Sequence, residues 1–339
     1  MYPIIRALLF MLPPEVAHQV TLKILVLLCR IPIMRSLLSR LYRPKKKHEI
    51  QVCGLSFSNP LGLAAGFDKN GHYLHEMAAL GFGFVEIGSV TADGVGGNPK
   101  PRLFRLKKQR AIINRMGLNN HGVDALVERV QHADLPIPLL VNVAKTPRAD
   151  LEGERAIQDY CTTVGKIKPI ADIIVLNISC PNSGDGRTFE SREALSSLLS
   201  SIRDVVPRGQ KPIFLKISPD LSADELSMIV EVGERFDIDG FTATNTTTDR
   251  SMLSIDQHKL DEIGPGGLSG LPLHTKAIET VKILRALTSK PIIGLGGIRS
   301  VEEARNFLSA GANLIQIYTG FVYEGPGVIR KISDGLGQA

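Results

Sequence analysis

Pro212-Ile-Phe-Leu-Lys-Ile217, a helix-length stretch over 222 to 236, and then Gly240-Phe-Thr-Ala243 form a βαβ unit in a single line of sequence. Working outward, the same alternation runs from residue 50 to the end. Further short apolar runs lie at Leu61 to Ala64, Phe84 to Gly88, Leu139 to Val143, Ile173 to Ile178, Pro291 to Gly294 and Leu314 to Ile317. Helical segments are predicted over 71–80, 120–132, 152–168, 190–205, 273–287, 300–310 and 327–335. Eight strands alternating with eight helices predict an α/β fold, a closed (β/α)8 TIM barrel, rather than an open sheet. No G-x-G-x-x-G follows a strand and no P-loop is present, so the common dinucleotide and nucleoside-triphosphate fingerprints are absent. The stretch 244–270 is too long for an idle connection and is expected to be an active-site lid.

In such a barrel the active site lies at the carboxyl ends of the strands. The residues there are Ala65-Gly66-Phe67-Asp68-Lys69, Gly88-Ser89, Asn142, Asn177 through Cys180 to Asn182, Lys216, Thr244-Asn245-Thr246, Gly296-Gly297 and Tyr318-Thr319-Gly320. The last two loops are where this fold binds phosphate through backbone N–H groups and a helix N-terminus, so a phosphate-bearing cofactor is implied. Asn is donor and acceptor at once, and several converging on one rim suit a flat ring with alternating N–H and C=O groups, such as a pyrimidine or a flavin. Lys216 ends an apolar strand, where an unanswered ammonium is costly and a bound anion would resolve the cost. Cys180 could act as a base or nucleophile once deprotonated. No Ser-His-Asp set or pair of catalytic carboxylates is evident, which disfavours hydrolysis. A non-flavin phosphate-binding barrel isomerase or lyase, and a membrane-anchored binding protein, remain open alternatives.

The 339-residue chain carries a net charge of +6, but residues 1–47 hold nine Lys/Arg against one acid, Glu15, which leaves the remainder at −2. The basic end is also where apolar residues recur at helical spacing, from Ile4 to Leu12 and from Ile24 to Leu41, with Pro13-Pro14 and Pro32 as breaks. Two or three short amphipathic helices are expected over 1–43, ahead of a catalytic domain over 44–339. Lys23, Arg30, Arg35 and Arg40 keep the apolar runs short of the roughly 20 residues needed to span a bilayer. Such helices either lie in the interface of an anionic membrane or pack as a hairpin on their own domain. Aromatic residues are 5% of the chain and Trp is absent, so no nucleic-acid partner is expected. The four cysteines are dispersed without metal-ligand spacing, and His72 and His75, an H-x-x-H without a third ligand, are read as a solvated helix face. No metal is expected.

Asn59-Pro-Leu-Gly-Leu-Ala-Ala-Gly-Phe-Asp-Lys69, Gly81 to Ser89, Asn114-Arg-Met-Gly117, Asn177-Ile-Ser-Cys-Pro-Asn182, Ala243-Thr-Asn-Thr-Thr247, Gly266-Gly-Leu-Ser-Gly270 and Gly294-Leu-Gly-Gly-Ile298 closely resemble dihydroorotate dehydrogenases, in order and over roughly residues 1 to 330. The N-terminal extension with Pro13-Pro-Glu-Val-Ala-His18 resembles the membrane-bound, quinone-dependent class 2 of that family. The resemblance implies oxidation of dihydroorotate to orotate in pyrimidine biosynthesis, with FMN as prosthetic group and a membrane quinone as acceptor. It implies FMN contacts from Ala65, Gly66, Lys69, Ser89, Asn142, Asn177, Lys216, Thr244, Gly270, Gly297, Tyr318 and Thr319. Dihydroorotate would meet Lys69, Asn114, Arg115, Met116, Gly117, Leu118, Asn177, Asn182, Asn245 and Thr246. His18, Arg102 and Tyr318 would face quinone, and Cys180 would be the catalytic base. A monomer, peripheral on the cytoplasmic face of the bacterial inner (cell) membrane, is implied. The chain departs from class 2 at Cys180, where that class usually has Ser, at Leu118, where it usually has Phe, and in a shorter segment after Asn142.

Overall fold

Strands buried on both faces read as unbroken apolar runs, and such strands enclose the centre of this molecule. The structure, a computed structural model, describes residues 2–46, 48–178, 189 and 191–337. Its barrel strands are β1 (Leu61–Leu63), β2 (Phe84–Val90), β3 (Leu139–Val143), β4 (Ile173–Asn177), β5 (Ile213–Ile217), β6 (Gly240–Ala243), β7 (Ile292–Leu295) and β8 (Leu314–Ile317). Each pairs in parallel with the next, and β8 closes on β1. Of all the strand residues only Leu295 is not buried. The predicted runs therefore coincide with the barrel staves, with ends shifted by a residue or two.

Period-two alternation divides the barrel interior into two levels. Phe84, Leu140, Val175, Phe214, Ile293 and Leu314 fill the lower level as an apolar cluster. A hairpin that the sequence reading missed, Ile50–Val52 paired with Leu55–Phe57, closes that end, with Val52 and Phe57 packed into the cluster. Two residues further along their strands stand Glu86, Asn142, Lys216 and Gln316, all buried and polar. A larger apolar cluster lies between the barrel and its surrounding helices.

Two predicted helices are shorter than the periodicity suggested. Asp68 accepts hydrogen bonds from the backbone N–H of His72 (2.9 Å) and Tyr73 (2.7 Å), which holds 68–73 as a turn, so the helix runs Leu74–Leu80. His72 consequently lies ahead of that helix, against His121, and the H-x-x-H does not share one helical face. Gly122, at φ +84°, likewise delays the next helix to Val123–Val130. The stretch 244–270 is more ordered than a simple lid. It contains the helix Gln257–Ile263 and ends in a strand, Gly267–Gly270, that joins Leu103–Leu106 and Ala111–Asn114 in an antiparallel sheet beside the barrel mouth.

The N-terminal arm comprises α1 (Tyr2–Leu9), α2 (Pro14–Arg30) and α3 (Pro32–Tyr42). Pro14 and Pro32 each occupy a first helical turn, where a missing N–H costs nothing. The arm is tied to the barrel along its length. Tyr2 donates to Val322 O (2.7 Å), Arg102 pairs with Glu15 (2.8 Å), and Leu22 is buried. Farther on, Arg330 donates to Leu41 O (3.0 Å). The other side of the arm remains uncovered. Of the 14 exposed large hydrophobic residues among those described, 13 lie between Ile4 and Leu41.

Candidate active site

The loops at the carboxyl ends of the strands surround one cavity, with an empty volume of about 1140 Å³ including the open solvent at its mouth. Of the residues singled out from sequence, Ala65, Gly66, Lys69, Ser89, Asn114, Met116, Gly117, Leu118, Asn177, Lys216, Thr244, Asn245, Thr246, Gly270, Gly297, Tyr318 and Thr319 all line it. The strand-end rule assembled them because every stave delivers its last residues to the same rim.

Several expected residues stand elsewhere. Asn142 is fully buried one layer down, hydrogen-bonded by its amide nitrogen to Glu86 (2.7 Å) and accepting from Ser89. The Arg115 side chain turns away from the cavity. Its guanidinium donates to Ile263 O and to Pro101 O (3.1 Å) and lies over the Phe104 ring. Cys180 and Asn182 lie outside the described residues.

His18 and Tyr318 meet at Phe67, between the arm and the cavity. The His18 ring packs edge-on against Phe67 at 4.7 Å, and Phe67 against Tyr318 at 5.4 Å. Arg102 joins through Glu15, one turn before His18 on α2. Burial pushes the Tyr318 phenol up to about 12, with Glu15 adding in the same direction, so it stays protonated near neutrality. Burial lowers the His18 pKa, opposed by the hydrogen bond to Phe67 O (3.0 Å), and nearby Lys69 lowers it further. A neutral imidazole beside apolar rings results.

The cavity has two chemical ends. On the side of β7 and β8, glycine loops bring backbone to the surface. Gly297 has φ +71°, and a Cβ there would meet Gly270 O at 2.9 Å; one on Gly320 would collide with Ile298 O. Bare backbone in such loops offers N–H groups to an anion. Around the rest of the rim stand amides and lysines. Asn177 donates to Ser89 Oγ (3.2 Å), and Asn245 donates to Asn177 Oδ1 (3.2 Å). Lys69 donates to Asn119, and Lys216 lies 3.4 Å from Glu86.

Sequence reasoning missed Glu86 and Gln316. Gln316 lines the cavity, donates to Glu86 Oε2 (2.6 Å), and leaves its Oε1 buried without a partner. The signal was available, since each is a lone polar residue in an apolar strand, the same pattern that drew attention to Lys216.

A family model described as dihydroorotate dehydrogenase matches residues 48–339. A protein of Enterobacter sp. (strain 638) named dihydroorotate dehydrogenase (quinone) is 44% identical over 347 residues, covering 99% of this chain and 99% of that protein. One of the same name from Halobacterium salinarum is 38% identical over 340 residues, covering 99% and 94%. Among solved structures, DHODH from Eimeria tenella in complex with ferulenol superposes with a TM-score of 0.80 at 31% identity, covering 95% of this chain and 90% of that one.

Proposed function

Since the chain belongs to the dihydroorotate dehydrogenase family and matches quinone-dependent members over nearly its whole length, we infer that it oxidises dihydroorotate to orotate in pyrimidine biosynthesis, with a flavin as prosthetic group and a quinone as electron acceptor. We propose FMN as that flavin. The observation that carries the reading is the two-ended cavity, with glycine-loop backbone on one side and an amide- and lysine-lined wall on the other. The first suits a phosphate, and the second suits a ring of alternating N–H and C=O groups. The unpartnered Gln316 Oε1 also calls for a ligand N–H. Gly270, Gly297 and Thr319 would hold the phosphate end, with Ala65, Gly66, Thr244 and Tyr318 around the remainder. Ser89, Asn177 and Lys216, supported from below by Asn142, would hold the ring.

Bound there, the flavin supplies a two-electron acceptor for hydride. The chain's residues do the rest. Lys69 and Lys216 place positive charge where a substrate carboxylate and incoming electrons are negative. Asn114, Asn177, Asn182, Asn245 and Thr246 orient the pyrimidine, with Met116, Gly117 and Leu118 bounding its pocket. Arg115 serves by fixing that loop to Pro101 and Ile263 rather than by touching substrate. Cys180, three residues beyond Asn177, is assigned as the base that takes the proton.

Residues 1–43 are proposed as a separate functional unit, and 44–339 as the catalytic domain. The unit's uncovered apolar side and its basic flanks suit a membrane interface. No described helix is long and apolar enough to cross a membrane. A peripheral monomer on the cytoplasmic face of the cell membrane follows from this reading, with quinone reaching Tyr318 past His18 and Arg102. The test is dihydroorotate oxidation by the purified yellow protein with quinone, fumarate and NAD in competition. Quinone should support turnover, and faster turnover with fumarate or NAD would overturn the acceptor assignment.

A further inference from the structure

A carboxylate can only accept hydrogen bonds, so any amide that touches it must offer its nitrogen. Glu86 is 0% exposed, on β2 beneath the cavity floor, and three side chains from three other strands converge on it. Asn142 Nδ2 donates at 2.7 Å and Gln316 Nε2 at 2.6 Å, while the Lys216 ammonium lies 3.4 Å away. With their nitrogens committed to Glu86, both amides must present oxygen on the opposite side.

The consequence passes along the pocket wall in one direction. Asn142 Oδ1 accepts from Ser89 Oγ, and Ser89 Oγ accepts from Asn177 Nδ2 (3.2 Å). Asn177 Oδ1 accepts from Asn245 Nδ2 (3.2 Å), and Asn245 Oδ1 accepts from the backbone N–H of Thr246 (2.8 Å). The chain runs from Glu86, which can only accept, to the Thr246 N–H, which can only donate, so no amide in it can flip alone. Gln316 is set in the same way, and its unpartnered Oε1 is the acceptor left for a ligand N–H.

We propose that Glu86 is a positioning residue that fixes the direction of the hydrogen bonds across the flavin and substrate pocket and offsets part of the Lys216 charge beneath the ring. This rests on the flavin reading above. Glu86 touches neither cavity nor ligand. It acts through Asn142, Gln316 and Lys216, and its negative charge opposes the stabilisation that Lys216 gives to a reduced, more negative ring.

Glu86→Gln keeps the shape, removes the charge and adds a donor where only an acceptor stood. In the flavin-loaded variant we expect reduced flavin to be favoured about tenfold more over oxidised, which raises the midpoint potential by about 30 mV for a two-electron couple. Orotate should bind about tenfold more weakly, because either Asn142 or Gln316 must now turn its oxygen toward the new donor. An unchanged value of either quantity, measured by dye-coupled redox titration and by orotate titration of the oxidised holoenzyme, overturns the proposal. Gln316→Leu gives a second arm that does not depend on the folding of Glu86→Gln. Flavin should dissociate about tenfold more readily from it, and wild-type retention would overturn the assignment of Oε1 as a ligand acceptor. A wild-type protein that purifies without flavin would instead remove the reading beneath both.

Discussion

At the scale of single residues, the pair Glu86 and Lys216 shows how the barrel interior tolerates charge. Both side chains are almost wholly buried, at 0% and 6% exposure, yet they are not equivalent. Lys216 lines the cavity, where solvent or an anionic ligand can reach it, while Glu86 is enclosed. Removing one member of a buried pair costs about 3–5 kcal/mol because the other charge is left behind. Lys216→Met should therefore lose stability in that range and fall below Glu86→Gln. The double variant should regain about 1–3 kcal/mol relative to additivity, as groups in direct contact do. Urea denaturation of all four proteins measures this, and strict additivity would mean the two charges do not interact. The Cys180 assignment also belongs at this scale. A thiol with a reference pKa of about 8.5 yields more thiolate as pH rises, so flavin reduction should accelerate with pH through a thiol-like ionisation. Cys180→Ala should slow the step at least ~100-fold, the usual loss for a general base. Stopped-flow reduction at several pH values decides, and a near-wild-type rate in Cys180→Ala would return the search to the rest of the rim. Lys216 was legible in sequence because a cation closing an apolar strand has no bland explanation. Glu86 and Gln316 interrupt equally apolar runs, Gln316 one residue from its strand's end as Lys216 is, but their convergence beneath the pocket depends on barrel closure, which the runs alone do not give.

The elements themselves were legible to the extent that their burial was uniform. All eight staves could be read because double-sided burial writes continuous apolar runs, and helices such as Gly153–Ile167 and Ala223–Arg235 because their periodicity is unbroken. The floor hairpin at 50–57 and the side sheet of Leu103–Leu106, Ala111–Asn114 and Gly267–Gly270 were not, since polar residues such as Gln51, Ser56, Arg105 and Ser269 break their short runs and the last pairs across about 150 residues of chain. Helix α2 is intermediate, for its period was plain but its docking was not. His18 should make this docking respond to pH. Burial holds its pKa below 6.5 in the packed state, so between that lowered value and 6.5 the released arm binds more protons than the docked one. Docking is then at full strength above about pH 6.5 and weakens as pH falls below it. Tryptic cleavage in α2 at Lys23 and Arg30 should accelerate between pH 7.5 and 5.5 more steeply in the wild type than in His18→Gln. Parallel pH profiles for the two proteins would mean that His18 does not set the latch.

For the whole molecule, the two alternatives that the sequence left open for the arm do not compete, because its two sides differ. One side is held to the barrel by Tyr2, Glu15, Leu22 and the bonds from Arg330 to the end of α3. The other carries 13 of the 14 exposed large hydrophobic residues described, including Ile4 at 70%, Met11 at 80% and Ile33 at 74%. So many exposed apolar side chains within one arm suit a membrane interface, and the basic residues among them suit anionic headgroups. The same arm carries His18 and Glu15 to Phe67 and Tyr318 beside the cavity, so the proposed lipid-facing unit also borders the site. The residues proposed for substrate chemistry, by contrast, all lie beyond position 60. Deleting residues 1–43 should therefore separate the two half-reactions. The truncated enzyme should still bleach its flavin on addition of dihydroorotate, within about threefold of the full-length rate, while losing sedimentation with anionic vesicles and most of its reduction of long-chain quinone. A soluble short-chain quinone should remain a partial substrate, since it needs no lipid surface to reach Tyr318. If the truncated enzyme reduced long-chain quinone in vesicles at the full-length rate, the arm would be a structural brace and quinone would have to enter by another face of the barrel.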